Sequence, residues 1–169
     1  MLINSINLIN FRNYIQKEFK FFDCINVIIA DNGSGKTNLL ESIYYCSYLR
    51  SFRITSDLDL INKDCDFFFI YLSFNHLNFL NSIKINYSRK EKNIYFNEKK
   101  IKKHSELLGK FLSIIFSSDD INIIKGQQYI RRKYFNSFLS IIDIEYLDML
   151  KKYNEIIKQK NYCLKINDD

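Results

Sequence analysis

The 169-residue chain has no proline, no tryptophan and only 4 glycines. Without proline, its turns and helix starts have to be set by Ser, Asn, Asp or the few Gly residues. The abundance of Ile, Asn, Lys, Phe and Tyr that goes with this reads as a bias of the coding genome, since no fold demands it. Cys24, Cys46, Cys65 and Cys163 stand far apart, without the close pairing of a zinc site or a redox motif, and read as reduced, mostly buried thiols of a cytoplasmic protein. No apolar run is long enough to cross a bilayer. The N-terminus, with Asn4, Asn7 and Asn10 spaced through it and Arg12 close behind, lacks the charged start and continuous apolar stretch of a secretory signal. Internal repeats and flexible linkers are missing too.

What is present is organised around Ala30-Asp31-Asn32-Gly33-Ser34-Gly35-Lys36-Thr37, set between the apolar run Ile25 to Ile29 and a helical pattern opening at Asn38. This is a Walker A arrangement, with Ala in place of the commoner first Gly, in the order that gives it meaning: buried strand, glycine loop, helix N-terminus. A polyphosphate needs backbone N–H groups close at hand, and Gly33 and Gly35 let the main chain curl around it. Lys36 then reaches the β- and γ-phosphates, Thr37 offers a hydroxyl to Mg²⁺, and the helix turns its free N–H groups and positive dipole end toward the anion. The stretch is read as a cradle for ATP or GTP; the bland alternative is a glycine turn that binds nothing. Hydrophobic residues make up 47% of the chain, enough for a real core in one domain or a domain with a small lobe. The formal net charge of +6 favours an acidic partner, which beside a nucleotide cradle suggests nucleic acid.

Taken in order, Leu2 to Ile9 alternates as a strand, Phe11 to Tyr14 turns, and Phe19 to Phe22 is a second strand. Ile25 to Ile29 suits a central buried strand. Leu39, Leu40, Ile43 and Tyr44 mark one face of a helix running to about Leu49, with Glu41 placed in its first turn as the dipole favours. Ser56 with Asp59 looks like the capping pair of a short helix through Ile61. Phe67 to Phe74, Leu80 to Tyr87 and Asn93 to Phe96 read as strands, the last two joined by a hairpin over Ser88 to Lys92. The lysine-rich stretch from Lys84 to Lys110 is either a solvated face or a phosphate-contacting surface. Ser113 to Phe116 reads as a short strand, Ser117 to Asp120 as a helix start, Gly126 as its end, Ile130 to Ile142 as a helix, and Asp143 as the cap of a long final helix striped by Leu147, Leu150, Tyr153 and Ile157.

Four separated stretches resemble the RecF family of bacterial recombinational repair proteins, ABC-type ATPases related to SMC heads: Leu8 to Tyr14, Asn32 to Tyr44, Leu49 to Arg53, and Phe116 through Lys125-Gly126 and Arg131-Arg132 to Tyr146. Tyr153 to Asn161 continues the match, so the resemblance covers nearly the whole chain. It implies an α/β fold: the N-terminal part of lobe I of an ABC-type P-loop NTPase head, a mixed sheet with P-loop and helix over residues 1–127, then the start of a helical lobe II over 128–169. It implies a cytoplasmic protein, away from membranes, that binds ATP with Mg²⁺, engages single-stranded or gapped DNA, forms an ATP-dependent homodimer and supports recombinase loading and the SOS response with RecR-type and RecO-type partners. Carried over by position, Ala30 to Thr37 hold the triphosphate, Arg12 and Asn13 sit where such heads contact nucleotide, and Arg50 and Arg53 approach the phosphates or DNA. Arg131 and Arg132 touch DNA or lock a helix by ion pairs, and Asn13 equally suits a turn residue bonding its own backbone.

The chain departs from the family pattern at Ser118 and Gln128, where proline is usual, and at Asn136, where Asp is usual. It is also about half the family's length. A Walker B strand ending in Asp-Glu is missing: Phe67 to Phe74 ends in Asn75, and Ile114 to Phe116 is followed by two serines before Asp119 and Asp120. A Leu-Ser-Gly-Gly-Gln-like signature is missing as well. The expectation is therefore an N-terminal piece whose catalytic half lies elsewhere. The alternatives are a self-contained P-loop kinase or small NTPase, which leaves Leu8 to Tyr14 unexplained, and an inactive truncated fragment.

Overall fold

The computed structural model describes residues 1–166, apart from the side chains of Ser118, Asp119, Asn122, Ile141 and Ile166. Alternating apolar residues build a sheet of six strands: β1 Leu2–Phe11, β2 Tyr14–Lys20, β3 Phe67–His76, β4 Phe79–Ser88, β5 Lys92–Phe96 and β6 Lys99–Lys100. Their order is β2-β1-β3-β4-β5-β6, and every pairing among the described residues is antiparallel. Three of the hairpins turn on two residues, and in two of them both residues are in the left-handed region: Leu77 and Asn78 (φ 50° and 65°) and Asn97 and Glu98 (φ 47° and 65°). Such primed turns match the twist of the strands they join.

Alternate side chains on the inner strands point to one face. Ile6 and Leu8 of β1, Phe68, Ile70, Leu72 and Phe74 of β3, Ile83 and Ile85 of β4, and Ile94 of β5 are buried there. Helix α1, Lys36–Tyr48, belongs to the same core through Leu39, Tyr45 and Cys46. Phe68 gathers three rings: Phe11 and Tyr45 meet it edge-on with centroids at 5.3 and 5.6 Å, and Tyr87 stacks on it at 5.2 Å. Full burial of a Phe ring such as Phe11 or Phe68 contributes about 2–3 kcal/mol, and Tyr87 is half-buried. Leu49 ends α1 in the left-handed region (φ 53°), its amide donating to the Tyr45 carbonyl at 2.8 Å. Beyond it, the Ser56 side chain caps a 3₁₀ turn over Asp57–Leu60, accepting from the Leu58 amide.

Several expectations need correction. Ile25 to Ile29 is not a buried strand: β1 is flanked by β2 and β3, no strand pairs with this segment among the described residues, and Ile25, Val27 and Ile29 are 88%, 76% and 89% exposed. Apolar character signals a wish for burial, while a strand also needs a neighbour to bond. Ser113 to Phe116 fails for the same reason, with Ile114 and Phe116 exposed and unladdered. The second strand begins at Tyr14, five residues before the expected start, because the turn of Arg12 and Asn13 is only two residues long. Of the four cysteines only Cys46 is fully buried, and Cys24 and Cys163 are exposed. Glu41 lies in the second turn of α1 and is wholly buried, so the helix dipole does not account for it.

Residues from Phe116 onward form a second unit, distinct from Met1–Ile115. A 3₁₀ turn over Ser118–Ile121 leads into α2, Asn122–Lys125, followed by α3, Gln128–Ile142, and α4, Ile144–Ile166. Ser118 and Gln128 each open a helical element, a position that proline favours but does not require. The Asp143 carboxylate caps α4, accepting from the amides of Glu145 and Tyr146 at 2.9 and 3.2 Å. The Tyr146 hydroxyl donates to the Asn136 side-chain oxygen at 2.6 Å, which ties α4 to α3. Of the stripe on α4, Leu147, Leu150 and Ile157 are half-buried and Tyr153 is exposed. Among the described residues no helix is long and apolar enough to cross a membrane.

Candidate nucleotide-binding site

The loop before α1 curls as its glycines permit. Gly33 has φ 84° and Gly35 φ 106°, values that L side chains adopt only with strain. At Gly35 the need for glycine is double, because a Cβ there would stand 2.7 Å from both the Tyr14 hydroxyl and the Asn13 side-chain nitrogen. Around Gly33 nothing lies within 4 Å of that position. Gly35 is also the N-cap of α1 and brings no side-chain acceptor, so the first-turn amides have no capping group. The Lys36 ammonium folds back over the loop, donating to the carbonyls of Ala30 and Asp31 at 2.6 and 2.8 Å. The Ser34 amide donates to the Asp31 carbonyl at 3.3 Å. Thr37 is exposed beside them.

The β1–β2 turn underpins this loop. Asn13 donates to the Ser34 carbonyl at 3.2 Å and accepts from the Asn38 amide group at 2.8 Å. Arg53 donates to the Asn38 side-chain oxygen at 2.9 Å, which completes a chain from Arg53 through two side-chain amides to the loop backbone. The Tyr14 hydroxyl donates to the Gly35 carbonyl at 3.0 Å, and burial holds its pKa above the ordinary phenol value, so it remains a donor. On its other side the turn is held by Leu60 to Asn62: the Arg12 amide donates to the Leu60 carbonyl at 2.7 Å, and the Asn62 side chain donates to the Arg12 carbonyl at 2.8 Å.

Behind the loop lies a buried carboxylate. Glu41 is 0% exposed and accepts Nε and Nη2 of Arg12, each at 2.9 Å, as well as the Ser51 hydroxyl at 2.5 Å. A nitrogen of Arg53 stands 3.5 Å away. The remaining Arg12 nitrogen donates to the Asp59 carbonyl at 3.0 Å. A buried charge is tolerable only with partners of this kind, and here they lock α1, the β1–β2 turn and the segment after α1 into one frame.

A second polar cluster lies at the other end of α1. The Tyr45 hydroxyl and the Lys92 ammonium both donate to one oxygen of Asp57, at 2.7 and 2.9 Å, and Lys92 also reaches the Leu49 carbonyl at 2.9 Å. Lys92 lies over the Tyr45 ring, 4.7 Å from its centroid. Burial first, and the bond to Asp57 second, push the Tyr45 hydroxyl far above its ordinary range, so it is a permanent donor.

The residues expected to act divide accordingly. Asn13 adjoins the loop, and Arg12 is committed to Glu41. Arg53 joins the loop's hydrogen-bond chain, while Arg50 is exposed at the end of α1. In the second unit Arg131 caps the end of α2, donating to the carbonyls of Ile124 and Gly126 at 3.2 and 3.1 Å, and Arg132 is exposed. The Asp119 side chain lies outside the described residues. Asp120 accepts from the amide and hydroxyl of Ser117 at 2.5 and 3.1 Å, as a turn-capping residue does. Among the described residues no group of three or more His, Cys, Asp or Glu could hold a metal ion. Sequence reasoning missed Glu41, Ser51 and Tyr14 as supports of the site; an acidic residue one helical turn past the lysine carries no mark of an arginine partner 29 positions away.

A family model described as an AAA domain matches residues 5–168. The DNA replication and repair proteins RecF of Bacillus thuringiensis (strain Al Hakam) and Bacillus cereus (strain B4264) are each 36% identical over 165 residues, 98% of this chain and 44% of theirs. The chain thus spans under half the length of these curated relatives. Among solved structures, that of the recombination mediator protein RecF-ATPrS in the RecFOR pathway superposes with a TM-score of 0.89 at 35% identity, over 96% of this chain and 44% of that one. The SMC head domain from Thermotoga maritima superposes with a TM-score of 0.59 at 19% identity over 83% of this chain, a likeness of fold alone.

Proposed function

The chain belongs to the RecF family through its AAA domain, and on that footing we propose that it forms the nucleotide-binding part of an ATP-dependent DNA repair and replication protein. The observation that carries this reading is the loop itself: two left-handed glycines, an uncapped helix start and the Lys36 ammonium converge on one exposed spot. That donor set fits a triphosphate. Open space beside Gly33 admits the anion's close approach, and the first-turn amides of α1 with Lys36 offer positive charge from two sides. Ala30 to Thr37 would hold the phosphates, and Thr37 would offer its hydroxyl to a phosphate-bound Mg²⁺.

Bound ATP with Mg²⁺ supplies the negative charge and the hydrolysable bond. This chain's residues bind and orient: Asn13 and Tyr14 fix the carbonyls of Ser34 and Gly35, so that the loop's amides face the anion. Single-stranded or gapped DNA, RecR-type and RecO-type partners, a homodimer formed on ATP, a cytoplasmic setting and a part in the SOS response belong to the same proposal as what the family resemblance implies; the net charge of +6 and the repair and replication names of the relatives support its DNA part. Titrating Mg²⁺-ATP into the chain and into its Lys36→Ala variant tests the nucleotide reading. Binding weakened at least about tenfold in the variant is expected from loss of one charge-assisted contact, whereas equal binding would refute it.

A further inference from the structure

One segment holds the largest local surplus of positive charge. Residues 84–110 contain 9 of the 25 Lys and Arg and 3 of the 19 Asp and Glu, a surplus of +6, so the remainder holds 16 of each and sums to zero, although Lys125, Arg131, Arg132 and Lys133 also stand in a stretch without acids. Two of those cations are committed, Lys84 to Glu98 at 2.7 Å and Lys92 to Asp57 at 2.9 Å. Arg89, Lys90, Lys99, Lys100, Lys102 and Lys103 are exposed, and none forms an ion pair among the described residues.

Backbone pairing sets Lys99 and Lys100 on the edge strand of the sheet. Strand β6 runs back along β5, Lys100 opposite Tyr95, and the Ile101 amide donates to the Ile94 carbonyl at 2.9 Å. The chain from Lys99 to Ile101 therefore follows the sheet margin in the direction of the β4–β5 turn that holds Arg89 and Lys90, and Lys102 and Lys103 continue as a bend into the 3₁₀ turn His104–Glu106. Lysine on an edge strand keeps it from pairing with another chain; six unneutralised cations within one short segment also make a field that draws a polyanion. On the sheet face opposite α1, cross-strand partners alternate ring and cation: Tyr71, Lys84, Tyr95, Lys100. Both tyrosines are half-buried in place, and the Lys84 ammonium lies 5.7 Å from the Tyr71 ring centroid.

We propose that this margin, the β4–β5 turn with β6 and Lys102-Lys103, is the surface on which the chain holds the phosphates of single-stranded DNA, with Tyr95 beside it as a base-stacking platform. The assignment rests on the DNA reading above and moves the contact away from Arg131, which is spent on capping α2.

Fluorescence anisotropy of a labelled single-stranded oligonucleotide, read between 50 and 200 mM salt on the 169-residue chain, tests it. The variant carrying Lys99→Gln, Lys100→Gln, Lys102→Gln and Lys103→Gln is expected to bind at least about tenfold more weakly at low salt, with the slope of log affinity on log salt reduced by about 3. Arg132→Gln and Arg50→Gln should bind as the parent does. Parent binding that is retained in the fourfold variant but lost in Arg132→Gln or Arg50→Gln would overturn the margin while leaving the DNA reading in place. No binding by the parent at 50 mM salt would overturn both, and tighter binding of a duplex of equal length would overturn the single-strand assignment. Thermal melting reports whether the fourfold variant folds; should it not, Arg89→Gln with Lys90→Gln decides the question by the same readout, an unchanged slope overturning the proposal.

Discussion

Arg12 and Glu41 meet fork to fork, two nitrogens on two oxygens at 2.9 Å each, with the carboxylate wholly sealed from water. Arg12 sits in a two-residue turn of the sheet and Glu41 in α1, so the pair pins the helix that carries Lys36 to the strands beneath it. Removing the carboxylate by Glu41→Ala leaves a guanidinium with its fork unfilled and the Ser51 hydroxyl without its acceptor. We expect a loss of about 3–5 kcal/mol, the usual cost of breaking a buried pair from one side. Urea denaturation measures it, and a loss below about 1 kcal/mol would place this pair with surface bridges instead.

The two loop glycines should respond unequally to Ala. At Gly33 only the left-handed backbone resists, about 1–2 kcal/mol. At Gly35 the same strain is joined by a collision with Asn13 and Tyr14 at 2.7 Å, both of which hold the loop. Gly35→Ala should therefore melt lower than Gly33→Ala, and equal melting temperatures would contradict the packing around Gly35.

Acid should weaken the fold in part through His104. Partial burial first, then the Lys92 ammonium, hold its imidazole below the ordinary 6.5, with Asp57 pulling the other way. A lowered folded-state pKa means that the unfolded chain takes up the proton first. The stabilising contribution is complete above pH 6.5 and declines as the pH falls through the folded-state value. His104→Gln should flatten the dependence of melting temperature on pH below 6.5, and an unchanged slope would remove His104 from the account.

Thiol labelling should sort the cysteines by depth. Burial pushes the Cys46 thiol well above its ordinary range and removes it from solvent, whereas Cys24 and Cys163 are exposed. Alkylation followed by mass spectrometry should modify Cys24 and Cys163 in the folded chain and reach Cys46 only on unfolding. Early modification of Cys46 would show that α1 does not stay against the sheet.

Much of this was legible in the sequence because it is local. The Walker A stretch, α1, the strands from Phe67 to Phe96 and the Asp143 cap each announce themselves through spacing or a turn residue within a few positions. The segments Ile25 to Ile29 and Ser113 to Phe116 misled because hydrophobicity reports what a residue would gain by burial without saying whether a neighbouring strand is at hand. Glu41 was illegible for a different reason. A buried carboxylate and a surface one look alike in a helix, and its partners Arg12 and Ser51 lie on separate elements that only folding brings together.

The hold of Lys36 on the carbonyls of Ala30 and Asp31 sets an entrance condition for whatever approaches the loop. Two uncharged oxygens already satisfy that ammonium, so a neutral visitor offers it nothing to gain by letting go. A visitor bearing several negative charges does, because the Coulomb attraction of opposite charges adds to the hydrogen bond. On the proposed reading, the loop would sort its guests by valence before shape is ever compared.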